Sequence, residues 1–440
     1  MKIRFVTLGC KLNFAESSAL GKVLLSRGHQ RASLSEVPDL CVVNTCSVTD
    51  AADHKDRQAI NQLHRKYPNT IIVVTGCYAQ LQPEQISHIE GVDYVLGQNE
   101  KYDIPALVEE IEQQLLNRPS PNANYPSPIA DRIRVAAIRE VEEFHGVRSG
   151  DDRTRCFIKV QDGCNYFCTY CTIPYARGKS RNPKIEEVLQ NAQEAIDQGA
   201  KELILTGVNI GDFGRSTGES FIDLLRALDK LEEARGERLE AKGMDYRIRI
   251  SSCEPNLLTD EIIDFVAKSK HFAPHFHIPL QSGSNEVLAI MKRRYTRELF
   301  AERVQHIKAV MPHAFIGVDC MVGVRGETEA CWEDYLAFIK GLDVSQLHVF
   351  TYSERANTRM LEMDLYVVPK EERQRRSKIL HQVSEEKTRA FYAQHAGRKA
   401  NVLWESKREG DQMAGFTDNY IKVYAPYQKD KVNTFEEIVL

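Results

Sequence analysis

The sequence predicts an α/β protein with an N-terminal doubly wound parallel-sheet domain, a central partial (β/α)6 barrel and a small C-terminal β-barrel module. Three observations predict this class. Apolar strand-like segments alternate with helical stretches, a proline-rich stretch interrupts them at 118–131, and short strands without intervening helices close the chain. We place the three domains at residues 1–118, 142–374 and 375–440.

The first domain repeats one design, an apolar segment that ends at a cysteine and is followed by a helix. The strand–helix order favours a parallel sheet, because parallel strands need a crossover connection. The predicted strands are Ile3–Cys10, Leu40–Cys46, Ile71–Cys77 and Val92–Leu96. The predicted helices are 15–27, 51–66, 82–89 and 104–116. The prolines of the predicted linker are Pro119, Pro121, Pro126 and Pro128.

Six further strand–helix units begin near Cys156. Right-handed crossovers between parallel strands curl such units into an incomplete barrel. The predicted strands are 157–160, 202–206, 247–251, 276–280, 315–321 and 347–352, and the predicted helices are 184–198, 219–235, 259–268, 284–310 and 327–340. A charged helix at 370–395 then leads to terminal strands at 402–405, 415–423 and 435–439.

Composition and charge exclude several classes of protein. A hydrophobic fraction of 42% with 27% charged residues is typical of a globular chain, neither fibrous nor disordered. The net charge of −4 gives no whole-chain argument for nucleic acid, so a basic face must be sought locally. Apolar runs are too short for a membrane span and the N-terminus does not resemble a signal peptide, so we expect a cytoplasmic protein with no membrane partner. Its eleven cysteines then indicate metal binding, catalysis or burial rather than disulfides.

Three cysteines lie within eight residues, Cys164, Cys168 and Cys171, directly after the first barrel strand. Barrels of this kind carry their active sites at the carboxyl ends of the strands. Three thiolates on one short segment suit a [4Fe–4S] cluster in which one iron has no protein ligand. A zinc site is the less favoured alternative, because it requires a fourth ligand and the nearest histidine, His145, lies 19 residues upstream.

Cys10, Cys46 and Cys77 each end a strand of the predicted first sheet. Because the carboxyl ends of parallel strands meet at one edge, thiols far apart in sequence converge there. We predict a second [4Fe–4S] cluster at this edge; the alternative is three unrelated buried thiols. The other cysteines, Cys41, Cys156, Cys253, Cys320 and Cys331, lack metal-ligand spacing and are predicted to be small buried apolar side chains.

The spacing Cys-x3-Cys-x2-Cys, with Tyr170 before the last cysteine, resembles that of the radical S-adenosylmethionine (radical SAM) enzymes. The resemblance implies that S-adenosylmethionine binds the open iron and is split to a 5′-deoxyadenosyl radical, which attacks unactivated C–H bonds. It also suggests residues near this cofactor, all at or just beyond barrel-strand ends: Tyr170, Thr206, Gly207, Asn209, Ser251, Gln281 and Asp319. Structural support is the alternative role for each.

The order of the domains and several segments resemble the methylthiotransferase family along essentially the whole chain. The segments are Leu8–Asn13, Val43–Asp50, Val74–Gln80, Gly163–Asn165 and His277–Ser284. Within that family the chain resembles the MtaB type, which acts on N6-threonylcarbamoyladenosine in tRNA. Lys11-Leu12-Asn13 fits neither the sibling that acts on isopentenyladenosine nor the sibling that acts on a ribosomal protein.

The resemblance implies that the C2–H of the modified adenosine at position 37, next to the anticodon, becomes C2–SCH3. Sulfur comes from the auxiliary cluster at Cys10, Cys46 and Cys77, and the methyl group comes from a second S-adenosylmethionine. It further implies an electron donor of the flavodoxin or ferredoxin type and a monomer. The alternatives are the same reaction on isopentenyladenosine or a ribosomal protein, and a non-catalytic iron–sulfur sensor that binds RNA.

Two local clusters of basic residues favour RNA binding despite the negative net charge of the chain. Residues 370–399 hold nine Lys or Arg against four Asp or Glu, and 292–308 hold six against two. Residues 415–423 resemble the terminal strands of the TRAM domain, an RNA-binding β-module, in which Phe416, Tyr420 and Tyr424 would stack on bases or form the core. Two loops depart from the family pattern, at 322–328 and around Thr358, and both affect substrate-loop geometry rather than cluster ligands.

Overall fold

A computed structural model describes residues 1–116, 132–150, 154–231 and 246–440. The chain forms two compact units. The first comprises 1–150 with 163–165 and 171–179, and the second comprises 151–162, 166–170 and 180–440. The predicted linker at 118–131 and the end of the predicted helix 219–235 lie outside the described residues. The predicted domain boundaries stay predictions.

The first unit is built on a six-stranded parallel sheet with the order β2-β1-β3-β4-β5-β6. Its strands are β1 Lys2–Thr7, β2 Gln30–Arg31, β3 Leu40–Thr45, β4 Ile71–Gly76, β5 Val92–Leu96 and β6 Ile133–Arg134. The two-residue strands β2 and β6 carry no apolar pattern and were not predicted. Because the chain passes from β1 to β2 on one side and to β3 on the other, a topological switch point lies between β1 and β3.

Both faces of this sheet are covered. Along β3, Leu40 and Val42 pack into one hydrophobic cluster and Val43 packs into another, so alternate side chains serve opposite layers. The helices that cover the sheet are Lys11–Ser26, Asp50–Lys66, Cys77–Leu81, Pro83–Ser87 and Ile104–Leu116. The parallel doubly wound arrangement of the first sheet is therefore confirmed.

The second unit contains six parallel strands in two three-stranded sheets, β7-β8-β9 and β10-β11-β12. Isolated parallel bridges, Ile248 to Phe272 and Ser252 to His277, join them. The strands are β7 Arg155–Lys159, β8 Glu202–Thr206, β9 Arg247–Ile250, β10 His275–Gln281, β11 Phe315–Val322 and β12 Gln346–Thr351. The helices of the second unit that accompany these strands are Ile185–Asp197, Phe221–Asp229, Asp260–Lys268, Asn285–Ile290, Arg297–Val310 and Glu329–Gly341. The short helix Ile173–Arg177, which follows β7 in the chain, belongs to the first unit.

The predicted single helix at 284–310 is wrong. Two helices form instead, Asn285–Ile290 and Arg297–Val310. Lys292 between them has a φ of 54°, which a right-handed helix does not allow. The second helix starts afresh because the Thr296 side chain accepts a hydrogen bond from the backbone N–H of Leu299.

The C-terminal part is the helix Lys370–His395 followed by a four-stranded antiparallel sheet with the order β15-β14-β13-β16. The strands are β13 Lys399–Glu409, β14 Gln412–Thr417, β15 Lys422–Pro426 and β16 Phe435–Val439. The predicted single strand 415–423 is wrong, because the chain reverses between β14 and β15 with Tyr420 at a φ of 68°. A small antiparallel module is nevertheless confirmed, with Val402, Trp404 and Met413 in its core.

Candidate iron–sulfur centres and active site

Cys10, Cys46 and Cys77 all lie at the carboxyl ends of neighbouring strands of the first sheet. Cys10 is exposed at the start of the helix Lys11–Ser26, Cys46 is buried just after β3, and Cys77 is buried at the first position of its helix. A Cβ atom on Gly9, whose φ is +95°, would lie 2.5 Å from Cβ of Cys46. Glycine therefore lets the turn before Cys10 pass directly over Cys46.

The three thiols lie close enough to influence one another's charge. Burial raises the pKa of Cys46 to about 12, and negative charge on Cys77 and Cys10 adds to that rise. Burial also raises the pKa of Cys77, and Cys10 contributes in the same direction. The predicted convergence of these three residues at one sheet edge is thus present in the fold.

Two amide side chains that sequence reasoning missed surround these thiols. Asn13 Nδ2 donates to the carbonyl oxygens of Leu8 and Thr45, each at 2.9 Å, and so ties together the segments that precede Cys10 and Cys46. Gln98 Nε2 lies 3.7 Å from Sγ of Cys77. Amide N–H groups that orient ligands and contact their sulfur atoms are typical of the shell around a metal centre.

The donor set is three cysteine thiols, which are the ligands that a [4Fe–4S] cluster takes. In the described ranges, no group of three or more His, Cys, Asp or Glu side chains is gathered tightly enough to hold one metal ion. A zinc ion would draw its thiolates to about 2.3 Å from one point. A [4Fe–4S] cluster instead binds each cysteine through a different iron, so its thiols stand farther apart.

The cysteines of the 164–171 segment lie in different surroundings. Cys164 and Cys171 belong to the first unit and are half-buried, and the backbone N–H of Cys164 donates to the Gly178 carbonyl at 3.0 Å. Cys168 belongs to the second unit and is buried. Burial raises the pKa of its thiol, and the charge of Arg293 opposes that rise.

Arg293 is a missed residue of this site. Its Nη1 atom lies 3.2 Å from Sγ of Cys168 and 3.4 Å from the hydroxyl oxygen of Tyr170. The guanidinium is held in place by an ion pair with Glu254 and by a 3.0 Å hydrogen bond from Nε to the Tyr295 hydroxyl. The side chain therefore presents a fixed N–H donor to one cysteine sulfur, an arrangement that tunes iron–sulfur clusters.

The segment after β8 is shaped by a buried glutamine that sequence reasoning also missed. Gln161 Oε1 accepts hydrogen bonds from the backbone N–H groups of Val208 at 2.9 Å and Asn209 at 2.7 Å. A Cβ on Gly207 would lie 2.9 Å from the Gln161 carbonyl oxygen. Thr206 is buried at the end of β8. These contacts fix the backbone of the predicted cofactor segment.

Asn209 and Ser251 are buried with polar atoms that have no hydrogen-bond partner in the part of the chain that the structure describes. For Asn209 these are both ends of the amide, which lies near the Tyr166 hydroxyl without hydrogen-bond geometry. For Ser251 it is the hydroxyl oxygen. Buried polar atoms are normally satisfied. The amino, carboxylate and hydroxyl groups of S-adenosylmethionine are suitable partners, so these residues fit that cofactor.

Gln281 is the last residue of β10, whereas Asp319 lies inside β11, three residues before its end, so the predicted position of Asp319 at a strand end is wrong. Gln281 has a φ of 66°, a left-handed conformation that is uncommon outside glycine. Asp319 Oδ1 lies 2.8 Å from Nε2 of His277, whose Nδ1 lies 2.7 Å from the Ser252 hydroxyl. Burial acts to raise the pKa of Asp319, but His277 outweighs it and the net shift is downward. Asp319 is thus held as a carboxylate by histidine, a partner not foreseen from the sequence.

Two family models match the chain. The radical SAM superfamily matches residues 158–339, and an uncharacterized protein family, UPF0004, matches residues 2–97. The threonylcarbamoyladenosine tRNA methylthiotransferase MtaB of Bacillus subtilis (strain 168) is 35% identical over 99% of this chain and 93% of its own length. The chain belongs to the MtaB-type radical SAM methylthiotransferases.

Other relatives agree with this family. The enzyme of the same name from Aquifex aeolicus (strain VF5) is 33% identical over 96% of both chains. Among solved structures, the radical S-adenosylmethionine methyltransferase TsrM from Kitasatospora setae, with cobalamin and a [4Fe–4S] cluster bound, has a TM-score of 0.58. That likeness covers 82% of this chain and 77% of TsrM at 15% identity. At that identity it shows a shared fold and no more.

The five cysteines outside the two sets of this methylthiotransferase are buried, as predicted: Cys41, Cys156, Cys253, Cys320 and Cys331. Burial raises the pKa of Cys41 to about 11 and that of Cys320 to about 12, so both stay neutral thiols near pH 7. No helix in the described ranges has both the length and the apolar composition of a membrane span.

Several residues of the predicted basic faces are paired internally. Arg376 is buried and contacts Glu327, Glu329 and Glu372, and Arg375 contacts Glu329 and Glu372. In the 292–308 cluster, Arg293, Arg297, Arg303 and Lys308 each lie within salt-bridge distance of a carboxylate. The count of basic residues therefore overstates the charge that these faces offer to RNA.

Two of the three aromatic residues proposed to stack on bases pack inside the second unit. Phe416 lies under Arg155, with Cζ 4.7 Å from the ring centroid, and Tyr420 lies under Arg249 at 4.8 Å. The Tyr420 ring also packs against His275. Only Tyr424 of the three is exposed, at 49% of its surface. The core alternative therefore applies to Phe416 and Tyr420.

Proposed function

We propose that this chain is a tRNA methylthiotransferase that converts the C2–H of N6-threonylcarbamoyladenosine, at position 37 next to the anticodon, to C2–SCH3. One observation carries the proposal: near full-length similarity, at 30–35% identity, to five enzymes named threonylcarbamoyladenosine tRNA methylthiotransferase MtaB. The convergence of Cys10, Cys46 and Cys77 supports it.

The cysteines divide between two [4Fe–4S] clusters in this proposal. Cys164, Cys168 and Cys171 would hold the radical SAM cluster, and Cys10, Cys46 and Cys77 would hold the auxiliary cluster. When bound, the clusters and S-adenosylmethionine supply hydrogen abstraction at C2 of the adenine and a methylated sulfur for that carbon.

The protein's own residues bind and orient the reactants. Arg293 donates an N–H to the sulfur of Cys168 and thereby stabilises the thiolate. Asn209 and Ser251 offer their buried polar atoms to the amino, carboxylate or hydroxyl groups of S-adenosylmethionine. Tyr170, Thr206, Gly207, Gln281 and Asp319 complete the proposed cofactor site, with Gln161 and His277 as supports.

The finer architecture belongs to the same proposal. Six parallel strands in bridged sheets support a partial (β/α)6 radical SAM barrel, and the four antiparallel strands β13–β16 support a TRAM-like module. We place the enzyme in the cytoplasm as a monomer that acts on tRNA and receives electrons from a flavodoxin or ferredoxin.

The substrate is tested by digesting tRNA from a strain that lacks this protein and analysing the nucleosides. We expect loss of the methylthio group from threonylcarbamoyladenosine alone, restored by a plasmid copy. The alternative substrate is dimethylallyladenosine in tRNA. It is retained because a tRNA-2-methylthio-N(6)-dimethylallyladenosine synthase from Fusobacterium nucleatum is 31% identical over 94% of this chain. Loss of the methylthio group from the dimethylallyl nucleoside instead would favour that substrate.

The two-cluster assignment is tested on anaerobically purified protein. We expect about eight irons per chain, since two clusters hold four each. Cys46→Ala should keep the formation of 5′-deoxyadenosine and stop methylthiolation. A non-catalytic sensor would release no 5′-deoxyadenosine in any variant, and normal methylthiolated product from Cys46→Ala would remove the auxiliary cluster from the mechanism.

A further inference from the structure

A chain of hydrogen bonds crosses three neighbouring segments of the second unit. Ser252 follows β9, His277 lies in β10 and Asp319 lies in β11. The Ser252 hydroxyl oxygen lies 2.7 Å from Nδ1 of His277, and Nε2 of the same ring lies 2.8 Å from Oδ1 of Asp319. The backbone fixes the first pair as well, because Ser252 and His277 form one of the parallel bridges that join the two sheets.

Gly317 provides space for this arrangement. In the parallel register of β10 and β11, Gly317 pairs with His277, and Asp319 lies two residues further along on the same face of the sheet. A Cβ on Gly317 would lie 3.3 Å from Nε2 of His348 and 3.6 Å from Cδ2 of His277. A side chain at this position would therefore crowd both histidine rings, and glycine lets the His277 ring extend along the sheet to Asp319.

The chemistry of the three groups determines which atoms donate. A carboxylate only accepts hydrogen bonds, so Nε2 of His277 carries the proton that is directed at Oδ1 of Asp319. In a neutral imidazole the other nitrogen is then an acceptor, so the Ser252 hydroxyl donates to Nδ1. The imidazole ring is thus held at both nitrogens, and its orientation sets that of the carboxylate.

The second carboxylate oxygen of Asp319 is available to a ligand. The Asp319 side chain is 17% exposed, and no hydrogen bond to Oδ2 is present among the residues that the structure describes. A carboxylate has about four acceptor sites on its two oxygens. Asp319 can therefore accept an O–H or N–H donor of a ligand while His277 keeps the other oxygen.

We propose that Ser252 is a positioning residue, which acts through His277 to hold Oδ2 of Asp319 ready to accept a hydrogen bond from a hydroxyl or amino group of S-adenosylmethionine. The inference rests on the proposed function, which includes Asp319 in the cofactor site. It adds the residue that orients the carboxylate, the oxygen that binds and the chemical class of its partner. A carboxylate oriented in advance loses little freedom on binding, so Ser252 contributes to affinity without touching the ligand.

The test measures the Kd for S-adenosylmethionine by equilibrium dialysis. It uses the full-length chain with its clusters reconstituted and no reductant, so that the cofactor is not consumed. Ser252→Ala should raise the Kd about fivefold, and Asp319→Ala should raise it about tenfold because it removes a charged acceptor. Ser252→Thr keeps the hydroxyl and should stay within about twofold of the parent. Ser87→Ala, which removes a hydroxyl 3.4 Å from Nδ1 of His88 in the first unit, is the matched control and should not change the Kd.

Nuclear magnetic resonance of the same chain with labelled histidine gives a readout that does not depend on ligand binding. At about pH 8 an ordinary histidine, with a pKa of about 6.5, is neutral. We expect the proton on Nε2 of His277 in the parent and in Ser252→Thr, with the signal assigned by its loss in His277→Gln. In Ser252→Ala the Nε2 proton resonance should be lost through faster exchange with water, because the ring is then held at one nitrogen only.

Repeating the dialysis with 5′-methylthioadenosine, which lacks the amino-acid part of S-adenosylmethionine, identifies the donor. If Asp319→Ala weakens the binding of both ligands, the donor belongs to the nucleoside; if it weakens only S-adenosylmethionine, the donor is the amino group of the amino-acid part.

The outcomes separate this inference from the proposed function. An unchanged Kd for S-adenosylmethionine in Asp319→Ala overturns the inference even where Ser252→Ala lowers stability, and it leaves the proposed function in place. Equal Kd values for Ser252→Ala and the parent overturn the role of Ser252. A parent chain that does not bind S-adenosylmethionine overturns the proposed function and the inference together.

Discussion

Two sets of buried polar residues, at opposite ends of the parallel strands of the second unit, differ in how their polar atoms are satisfied. At the amino-terminal end, both oxygens of Glu202 at the start of β8 contact the guanidinium groups of Arg247 and Arg249. The same arginines donate to the backbone carbonyls of Phe416 and Asp418, which belong to the β14–β15 hairpin. At the carboxyl end, Asn209 and Ser251 keep polar atoms that no described residue satisfies.

This difference separates a structural polar cluster from a binding site. At the amino-terminal end the C-terminal module supplies partners to the arginines, and of the two only Nη1 of Arg247 lacks a hydrogen bond among the described residues. At the carboxyl end the proposed S-adenosylmethionine would supply them, because a buried polar atom left unsatisfied costs about 1–3 kcal/mol. Substitutions at the amino-terminal end should therefore lower the free energy of unfolding. Substitutions at the carboxyl end should instead weaken ligand binding.

The largest effect is expected from Cys168→Ala. Loss of this ligand should lower 5′-deoxyadenosine formation by more than ~100-fold, because even the outer partners of metal ligands are worth 10–100-fold. The measurement is product analysis after anaerobic incubation with S-adenosylmethionine and dithionite. Cys320→Ala, which removes a buried thiol from β11, is the matched control and should keep the reaction. Undiminished 5′-deoxyadenosine from Cys168→Ala would contradict the role of the loop.

Glu202→Gln should destabilise the fold without changing the affinity for S-adenosylmethionine. Removing the carboxylate leaves Arg247 and Arg249 buried beside each other, and breaking a buried ion pair costs about 3–5 kcal/mol of unfolding free energy. Denaturant titration measures the loss, and Glu186→Gln at an exposed helix position is the control. A loss below about 1 kcal/mol would show that the arginines are satisfied without Glu202.

The loss of unfolding free energy in Glu202→Gln should also depend on pH. Burial acts to raise the pKa of Glu202, but Arg247 and Arg249 outweigh it and hold that pKa well below its usual range. A carboxyl group whose pKa is lower in the folded state contributes stability above its unfolded pKa, near ~4.3, and loses it as the pH falls towards the folded value. The difference in unfolding free energy between the parent chain and Glu202→Gln should thus be constant from about pH 5 to 7 and shrink below about pH 4.

Local spacing and strand order were enough to predict where these cysteines lie in the fold, and their role as cluster ligands stays a prediction. Cys164, Cys168 and Cys171 are near one another in sequence, and parallel strands bring Cys10, Cys46 and Cys77 to one edge. The buried ion pairs of the first unit could not be predicted in this way. Glu16 pairs with Lys101 across 85 residues and with Arg177 across 161, and no sequence period links such positions.

Charge counting is incomplete for a related reason. The helix Lys370–His395 is basic by composition, yet Arg375 and Arg376 contact carboxylates of Glu327, Glu329 and Glu372. A one-dimensional count cannot show which acidic residues of other elements lie opposite. The break in the predicted strand 415–423 was missed because Tyr420 adopts a positive φ without being a glycine or asparagine.

Asn209→Ala tests the proposed cofactor site directly, because Asn209 follows the carboxyl end of β8. If the amide binds S-adenosylmethionine, its removal should weaken binding by about 1–2 kcal/mol, which is roughly 5–30-fold in Kd, and leave stability unchanged. Equilibrium dialysis with labelled S-adenosylmethionine measures the affinity. Asn191→Ala, whose amide contacts only the Glu187 carbonyl of its own helix among the hydrogen bonds described, is the matched control. Equal affinities of the two variants would remove Asn209 from the cofactor site.

The smallest effect is expected at Tyr424, four residues beyond Tyr420, whose ring packs against Arg249 and His275. Tyr424 is 49% exposed, and Lys422 Nζ lies 4.6 Å from its ring centroid, so the pair offers both a stacking surface and a positive charge. Tyr424→Ala should weaken tRNA binding by about 1 kcal/mol, or about fivefold, because stacking on a base is worth about 1–3 kcal/mol. Filter binding at fixed salt measures this, with Tyr366→Ala, 52% exposed, as the control. If both variants bind equally, the exposed face of the module does not contact the tRNA through this ring, and the aromatic contacts of the β14–β15 hairpin are then limited to the packing of Tyr420 against Arg249 and His275.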